Sequence, residues 1–144
     1  MGKTNYFSTK NYDLNPDSKK GIMLLHGFSS TTHEMAPLAH FLKQEGYRIV
    51  LQNLPGHGTT IEDCNTTRYN EWISFVEEGF AELSIDCEEL YVIGFSMGAI
   101  LGLYLAGLFP INKLVIACPV MSFASPFRVN VLVRFFNRLI TKQK

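Results

Sequence analysis

The chain has 144 residues, of which 47% are apolar and 12% aromatic, and its 13 basic residues balance 13 acidic ones. This composition excludes an intrinsically disordered chain and predicts one buried core, belonging to a single domain or to part of one. A formal net charge of zero gives no overall field that would attract nucleic acid, so we expect no nucleic-acid partner.

The cysteines and the apolar runs bear on the cellular location. Cys64, Cys87 and Cys118 are an odd, widely spaced set that fits neither a disulfide framework nor a zinc site. The first residues are polar and lack the charged start and apolar run of a secretory signal. Apolar stretches are broken by glycine or proline before about 18 residues, the length that spans a bilayer. We therefore expect a cytoplasmic protein without a membrane span.

The predicted elements begin after a polar, turn-rich segment. Residues 1–20 are expected to form an N-terminal arm or a hairpin. The apolar run at 22–25 predicts a strand that is buried on both faces of a parallel sheet. Residues 33–45 have apolar positions at helical spacing and are followed by Gly46, which predicts a helix with a glycine stop.

Strands and helices then alternate along the chain. This alternation predicts an α/β fold, a mostly parallel sheet with helices on both faces. The strands are expected at 47–51, 90–93 and 114–117, and the helices at 68–83 and 97–109, the second of these stopped by Pro110.

A Gly-x-Ser-x-Gly pentapeptide occupies residues 94–98. The pattern is weak alone, but here it lies between a predicted strand and a predicted helix, as a nucleophile elbow requires. Such a turn is too tight for side chains at Gly94 and Gly98, and it leaves Ser96 at a helix N-terminus that favours negative charge on a substrate oxygen. The alternative is a serine that caps a helix beside packing glycines.

A second motif, His26-Gly27-Phe28, follows the first predicted strand. Acyl transfer needs two N–H donors directed at the oxyanion, one from the residue after the nucleophile and one from this loop. Met97 and Phe28 are the candidates. The alternative is an ordinary glycine turn after a strand.

These motifs together resemble one family, the α/β-hydrolases, and within it the bacterial carboxylesterases and monoacylglycerol lipases grouped with serine aminopeptidase-like hydrolases. The resemblance implies Ser96 as the nucleophile, Phe28 and Met97 as oxyanion donors, a small carboxylic ester or monoacylglycerol as substrate, and no metal or cofactor. The matching pieces, in the family's order, are residues 24–28, 55–58, 94–99 and 114–119 and the helix that carries Trp72.

The rest of a catalytic triad is absent from the sequence. In this fold the order is serine, acid, histidine, yet no Asp, Glu or His follows Ser96. We interpret the earlier histidines as structural, with no imidazole within about 3.2 Å of the serine hydroxyl, and expect the chain to be inactive alone. His57 as a substitute base is the alternative, and a metal site is not expected because a third ligand is missing. The four histidines are His26, His33, His40 and His57.

We expect a partial hydrolase domain over 1–144 that stops before the last strands, with its core at 21–121. Residues 122–144 are apolar at helical spacing with interspersed basic residues, and their position in the family predicts the start of a cap helix. A basic amphipathic helix making weak contact with an anionic membrane surface, or with a partner, is the alternative. Rival functions are a non-catalytic truncated product or interaction module, and an acyltransferase or thioesterase.

Overall fold

A computed structural model describes residues 9–121 and contains a five-stranded sheet. The strand order is β1-β3-β2-β4-β5, and all neighbours are parallel except β1 and β3. The predicted parallel sheet is therefore confirmed. The strands are β1 Tyr12–Leu14, β2 Lys20–Leu25, β3 Arg48–Leu51, β4 Glu89–Phe95 and β5 Lys113–Ala117.

Helices cover both faces of this sheet. Alternate residues of a strand point to opposite faces, so β2 sends Met23 and Leu25 to one side and Ile22 and Leu24 to the other. All four are at most 3% exposed, which explains why this strand is apolar throughout. The helices are α1 Ala36–Gln44 on the Ile22 side, α3 Tyr69–Asp86 and α4 Met97–Leu108 on the Met23 side, and the short α2 Ile61–Thr66.

The start of the chain differs from the sequence-based expectation. Part of the segment expected to be an arm or a hairpin is the edge strand β1, which runs antiparallel to β3 with Tyr12 opposite Leu51. The arm, core and cap division of the chain remains a prediction, and the expected cap helix at 122–144 lies outside the described residues.

The first helix also begins later than expected. Residues Thr32–Glu34 form a separate 3₁₀ turn, and α1 starts only at Ala36, with Pro37 in its first turn. The expectation that the helix begins at residue 33 is therefore wrong, and His33 lies outside α1. The proline explains the break, because it has no N–H to donate to the His33 carbonyl four residues earlier and its ring would clash with that carbonyl, so it is tolerated only in the first turn of a helix.

The outermost strand in the described part of the chain is β5. Within residues 9–121 no strand pairs with its outer edge, and Val115 and Ile116 are 52% and 40% exposed. None of the helices in that part of the chain is long and apolar enough to cross a bilayer.

Candidate functional site

Ser96 lies at the turn between β4 and α4. Its backbone has φ 53° and ψ −112°, a region that a residue with a side chain rarely adopts and that costs about 1–3 kcal/mol. Two hydrogen bonds hold the turn: the Ser96 N–H donates to the Ala117 carbonyl (2.9 Å), and the Ala99 N–H donates to the Ser96 carbonyl (3.1 Å). A serine held in strained backbone between a buried strand and a helix is the geometry of a nucleophile elbow.

The two glycines of the motif permit this turn. A Cβ on Gly94 would overlap the Gly98 carbonyl oxygen and lie 2.7 Å from the Ala99 Cα. A Cβ on Gly98 would overlap the Leu25 carbonyl oxygen and lie 2.7 Å from that of His26. Because the opposing atoms are backbone, neither methyl group could be accommodated by a side-chain rotation. The glycines thus allow α4 to cross β2 and β4 at close range.

The loop after β2 approaches the serine. A Cβ on Gly27 would lie 3.4 Å from the Ser96 Cβ, and the loop turns back through a hydrogen bond from the Ser30 N–H to the Gly27 carbonyl (3.2 Å). Phe28 is the second residue of this turn, so its N–H takes no part in the closing bond. Met97 opens α4, so its N–H has no partner within the helix. Both amides are thus free of local acceptors, as oxyanion donors would be.

Ser96 opens onto an apolar cavity of about 650 Å³. Its lining includes Phe28, Trp72 and Ile73 of α3, and Ile100 and Leu101 of α4. The volume lies within the range of small-molecule sites, and the lining suits an alkyl or acyl chain.

His26 is fully buried and supports the loop rather than the serine. Its Nδ1–H donates to the Gly27 carbonyl (2.9 Å), and its Nε2 accepts the Leu54 N–H (3.0 Å), which fixes the neutral ring in one tautomer. Burial lowers the pKa of His26, and the nearby His57 ring acts in the same direction. Both ring nitrogens are occupied, so His26 has none to offer Ser96.

His57 supports the neighbouring loop. Its Nδ1–H and the Trp72 indole N–H both donate to the Pro55 carbonyl, at 3.0 and 2.9 Å. Its ring packs edge-on against His26 and Phe28, with centroid distances of 5.2 and 5.7 Å. The buried Nε2 of His57 has no hydrogen-bond partner among the residues that the structure describes. His57 thus packs its own loop against the loop that carries His26 and Phe28.

No imidazole within residues 9–121 is hydrogen-bonded to the Ser96 hydroxyl. The same region contains no cluster of three His, Cys, Asp or Glu side chains that could hold a metal ion. The described part of the chain thus supplies a serine, two candidate oxyanion donors and an apolar cavity. It supplies no base in contact with the serine.

Burial of His26 makes the stability of the fold depend on pH. In the unfolded chain this histidine has its ordinary pKa near 6.5 and takes up a proton that the buried ring resists. The contribution of His26 to the free energy of unfolding is therefore complete above about pH 6.5. It is lost as the pH falls toward the lowered pKa, with a slope of up to about 1.4 kcal/mol per pH unit. The free energy of unfolding, measured with denaturant between pH 5 and 7, should depend less steeply on pH in His26→Gln than in the wild type. Equal slopes in the two proteins would contradict it.

One residue of the site was not found from the sequence. Glu34, in the 3₁₀ turn, accepts the Gly27 N–H at Oε2 (2.8 Å) and so fixes the loop that carries Phe28. Gly27 and Glu34 are seven residues apart, which fits no local hydrogen-bonding motif, because their contact depends on the path of the loop between them. Only the closeness of a carboxylate to the His26-Gly27-Phe28 motif could have drawn attention to it.

Comparison with known proteins connects this geometry to a family. A thermostable monoacylglycerol lipase from Bacillus sp. (strain H-257) is 43% identical over 102 residues, 66% of this chain and 41% of the lipase. A carboxylesterase from Bacillus subtilis (strain 168) is 30% identical over 107 residues, 74% of this chain and 44% of the esterase. The chain thus spans about two fifths of the length of these curated relatives.

The fold comparison agrees. A structure from work on LipS and LipT, two metagenome-derived lipolytic enzymes, superposes with a TM-score of 0.78 at 26% identity, covering 82% of this chain and 49% of that one. Residues 21–144 match the profile of the alpha/beta hydrolase fold family. The family resemblance and the fold class expected from the motifs are both confirmed. With the serine turn, the parallel sheet and this match over most of its length, the chain belongs to the α/β-hydrolase fold family.

Proposed function

We propose that Ser96 is the nucleophile of a hydrolase that cleaves carboxylic esters through an acyl-enzyme. The observation that carries this proposal is the Ser96 turn itself, in which strained backbone at φ 53° holds the serine between β4 and α4 beside an apolar cavity. Strain of this kind persists where the surrounding structure enforces it, and it occurs frequently at active sites.

The chemistry assigns a part to each residue. The Ser96 oxygen attacks the ester carbonyl, and the Phe28 and Met97 N–H groups stabilise the negative charge on the tetrahedral oxygen. Collapse expels the alcohol, and water then releases the acid. This chemistry requires no metal or cofactor. It does require a base to take the serine proton, and no histidine or acid follows Ser96 in the 144 residues, so we propose that this chain alone is inactive.

The substrate we propose is a carboxylic ester of modest chain length or a monoacylglycerol. The apolar cavity supports an alkyl chain as the acyl part, and the relatives named monoacylglycerol lipase and carboxylesterase support the ester class.

Two further proposals concern the location and the cap. A cytoplasmic location is consistent with three free cysteines, and residues 122–144 would begin a cap over the cavity. Membrane-surface contact by that basic segment is the alternative role.

A fluorophosphonate probe tests the role of Ser96 without requiring turnover. Attack by the serine oxygen on phosphorus displaces fluoride and leaves a stable adduct, which peptide mass spectrometry can locate. Without a triad base the reaction should be slow, but the candidate oxyanion donors would stabilise the charge that develops on the phosphoryl oxygen when Ser96 attacks. We expect an adduct at Ser96 in preference to other serines.

The controls are Ser96→Ala and Ser84→Ala. Ser84 lies on the exposed side of α3, where its hydroxyl donates to the Ala81 carbonyl (2.6 Å). Labelling should disappear in the first variant and persist in the second. Adducts spread over surface serines, with none at Ser96, would overturn the assignment.

A further inference from the structure

A second cavity, of about 410 Å³, lies beside the first. Phe28 lines both, so its side chain forms a shared wall. The two differ in chemistry, because the first is lined mainly by aromatic and aliphatic side chains and the second mainly by polar ones. The second cavity is lined by Phe28, Ser29, Ser30, Thr31, His33 and Glu34.

The polar cavity lies close to the serine. The position of a Cβ on Gly27 is 3.4 Å from both the Ser96 Cβ and the Glu34 Oε2. The Phe95 ring lies at the same distance from this position, and Gly27 places no side-chain atom between the serine and the carboxylate. An ester whose carbonyl carbon is at Ser96 could therefore extend its acyl chain into the apolar cavity and its alcohol part toward Glu34.

The two oxygens of Glu34 have different partners. Oε2 accepts the Gly27 N–H at 2.8 Å, which fixes the side chain in place. For Oε1, no hydrogen bond to the rest of residues 9–121 is found, and the residue is exposed to solvent. A carboxylate oxygen only accepts hydrogen bonds, so this one suits a ligand hydroxyl.

We propose that Glu34 selects esters whose alcohol part carries free hydroxyl groups, of the glyceryl type, over esters of plain alkyl alcohols. This inference rests on the proposed function, since it places the alcohol part relative to Ser96. A hydroxyl bound to a carboxylate makes a hydrogen bond about twice as strong as one between neutral groups. A ligand without the hydroxyl displaces water from the carboxylate and offers no replacement, so it binds more weakly.

Binding of non-hydrolysable ethers to the intact chain tests the proposal without catalysis. The probes are 1-O-octylglycerol and its 2,3-di-O-methyl derivative, which share a skeleton and differ in the two hydroxyl groups. Trp72 is the only tryptophan in the sequence and lines the apolar cavity, so its fluorescence reports entry of the octyl chain. A charged hydrogen bond contributes about 1.5–3 kcal/mol, so we expect the diol to bind roughly tenfold tighter or more.

The decisive variant is Glu34→Gln, whose amide oxygen can still accept the Gly27 N–H while the charge is removed. We expect it to reduce the preference for the diol to about threefold or less, since the remaining bond is between neutral groups. Glu45→Gln, after the last turn of α1, is the matched control and should retain the wild-type preference.

The possible outcomes separate this inference from the function on which it rests. Equal binding of the two ethers, or a preference that survives Glu34→Gln, would overturn the role of Glu34 and leave the apolar cavity and Ser96 unaffected. If neither ether changed Trp72 fluorescence, both the alcohol site and the acyl cavity would be wrong. The role of Ser96 would still be decided separately by phosphonate labelling.

Discussion

Hydrolysis of p-nitrophenyl butyrate by the 144-residue chain is expected to equal that by its Ser96→Ala variant. A serine hydroxyl is a weak nucleophile at neutral pH unless a base removes its proton. Within residues 9–121, His26 uses both ring nitrogens in backbone hydrogen bonds, and no histidine follows Ser96 in the sequence. Loss of the histidine alone lowers kcat of a serine protease by roughly 10⁶-fold. Any rate that remains should come from the oxyanion donors and binding, which the alanine variant retains.

The comparison requires soluble, folded samples, because no strand within residues 9–121 pairs with the outer edge of β5, where Val115 and Ile116 are exposed, and an unpaired edge favours aggregation. Size-exclusion chromatography and circular dichroism should therefore accompany each assay. Turnover at ordinary enzyme rates, about 1–10³ s⁻¹, that Ser96→Ala abolishes would contradict the expectation. It would show that a base reaches the serine. The first residue to replace would be His57, whose buried Nε2 has no hydrogen-bond partner within residues 9–121.

Gly98→Ala is expected to destabilise the fold more than an ordinary core substitution. The added methyl group would overlap the Leu25 carbonyl oxygen and approach that of His26, so α4 would have to move away from β2. Forcing atoms into a packed core typically costs about 1–3 kcal/mol, and here the opposing atoms are backbone. We expect a loss of about 3 kcal/mol or more in denaturant unfolding, a large share of the roughly 5–15 kcal/mol that stabilises a domain.

Gly107→Ala in the same helix is the matched control. A Cβ there would have no neighbour within 4 Å, and alanine favours helix over glycine by about 0.5–1 kcal/mol. The control should therefore be neutral or slightly stabilising. A Gly98→Ala protein as stable as Gly107→Ala would mean that α4 does not cross β2 as closely as described, and the elbow geometry at Ser96 would be in doubt.

Local patterns were enough to predict the centre of the fold. The apolar run of β2 is buried on both faces. The two glycines that the tight turn at Ser96 requires lie only two residues before and after the serine. Each signal acts over a short stretch of chain, so the sequence contains it explicitly. The elbow, the parallel sheet and the family could all be predicted for that reason.

Contacts between distant residues could not be predicted in this way. The three-residue strand β1 has little pattern of its own, and Arg48 of β3 holds it through paired hydrogen bonds to Asp13, both 3.0 Å. The same guanidinium bonds Asp86 at the end of α3 (2.8 Å). Glu34 likewise acquires its role only through the loop that brings it to Gly27.

The short helix α2 was also missed, although Thr60 and Asp63 form a capping box at its start.

A crystal structure of the chain phosphonylated at Ser96 would test the central claim most directly. The adduct imitates the tetrahedral intermediate, so its phosphoryl oxygen reports where an oxyanion would lie. We predict that this oxygen lies about 2.7–3.1 Å from both the Phe28 and the Met97 backbone nitrogens, with the alkyl group of the probe in the cavity beside Trp72. A phosphoryl oxygen directed to solvent, with neither amide in reach, would contradict the account.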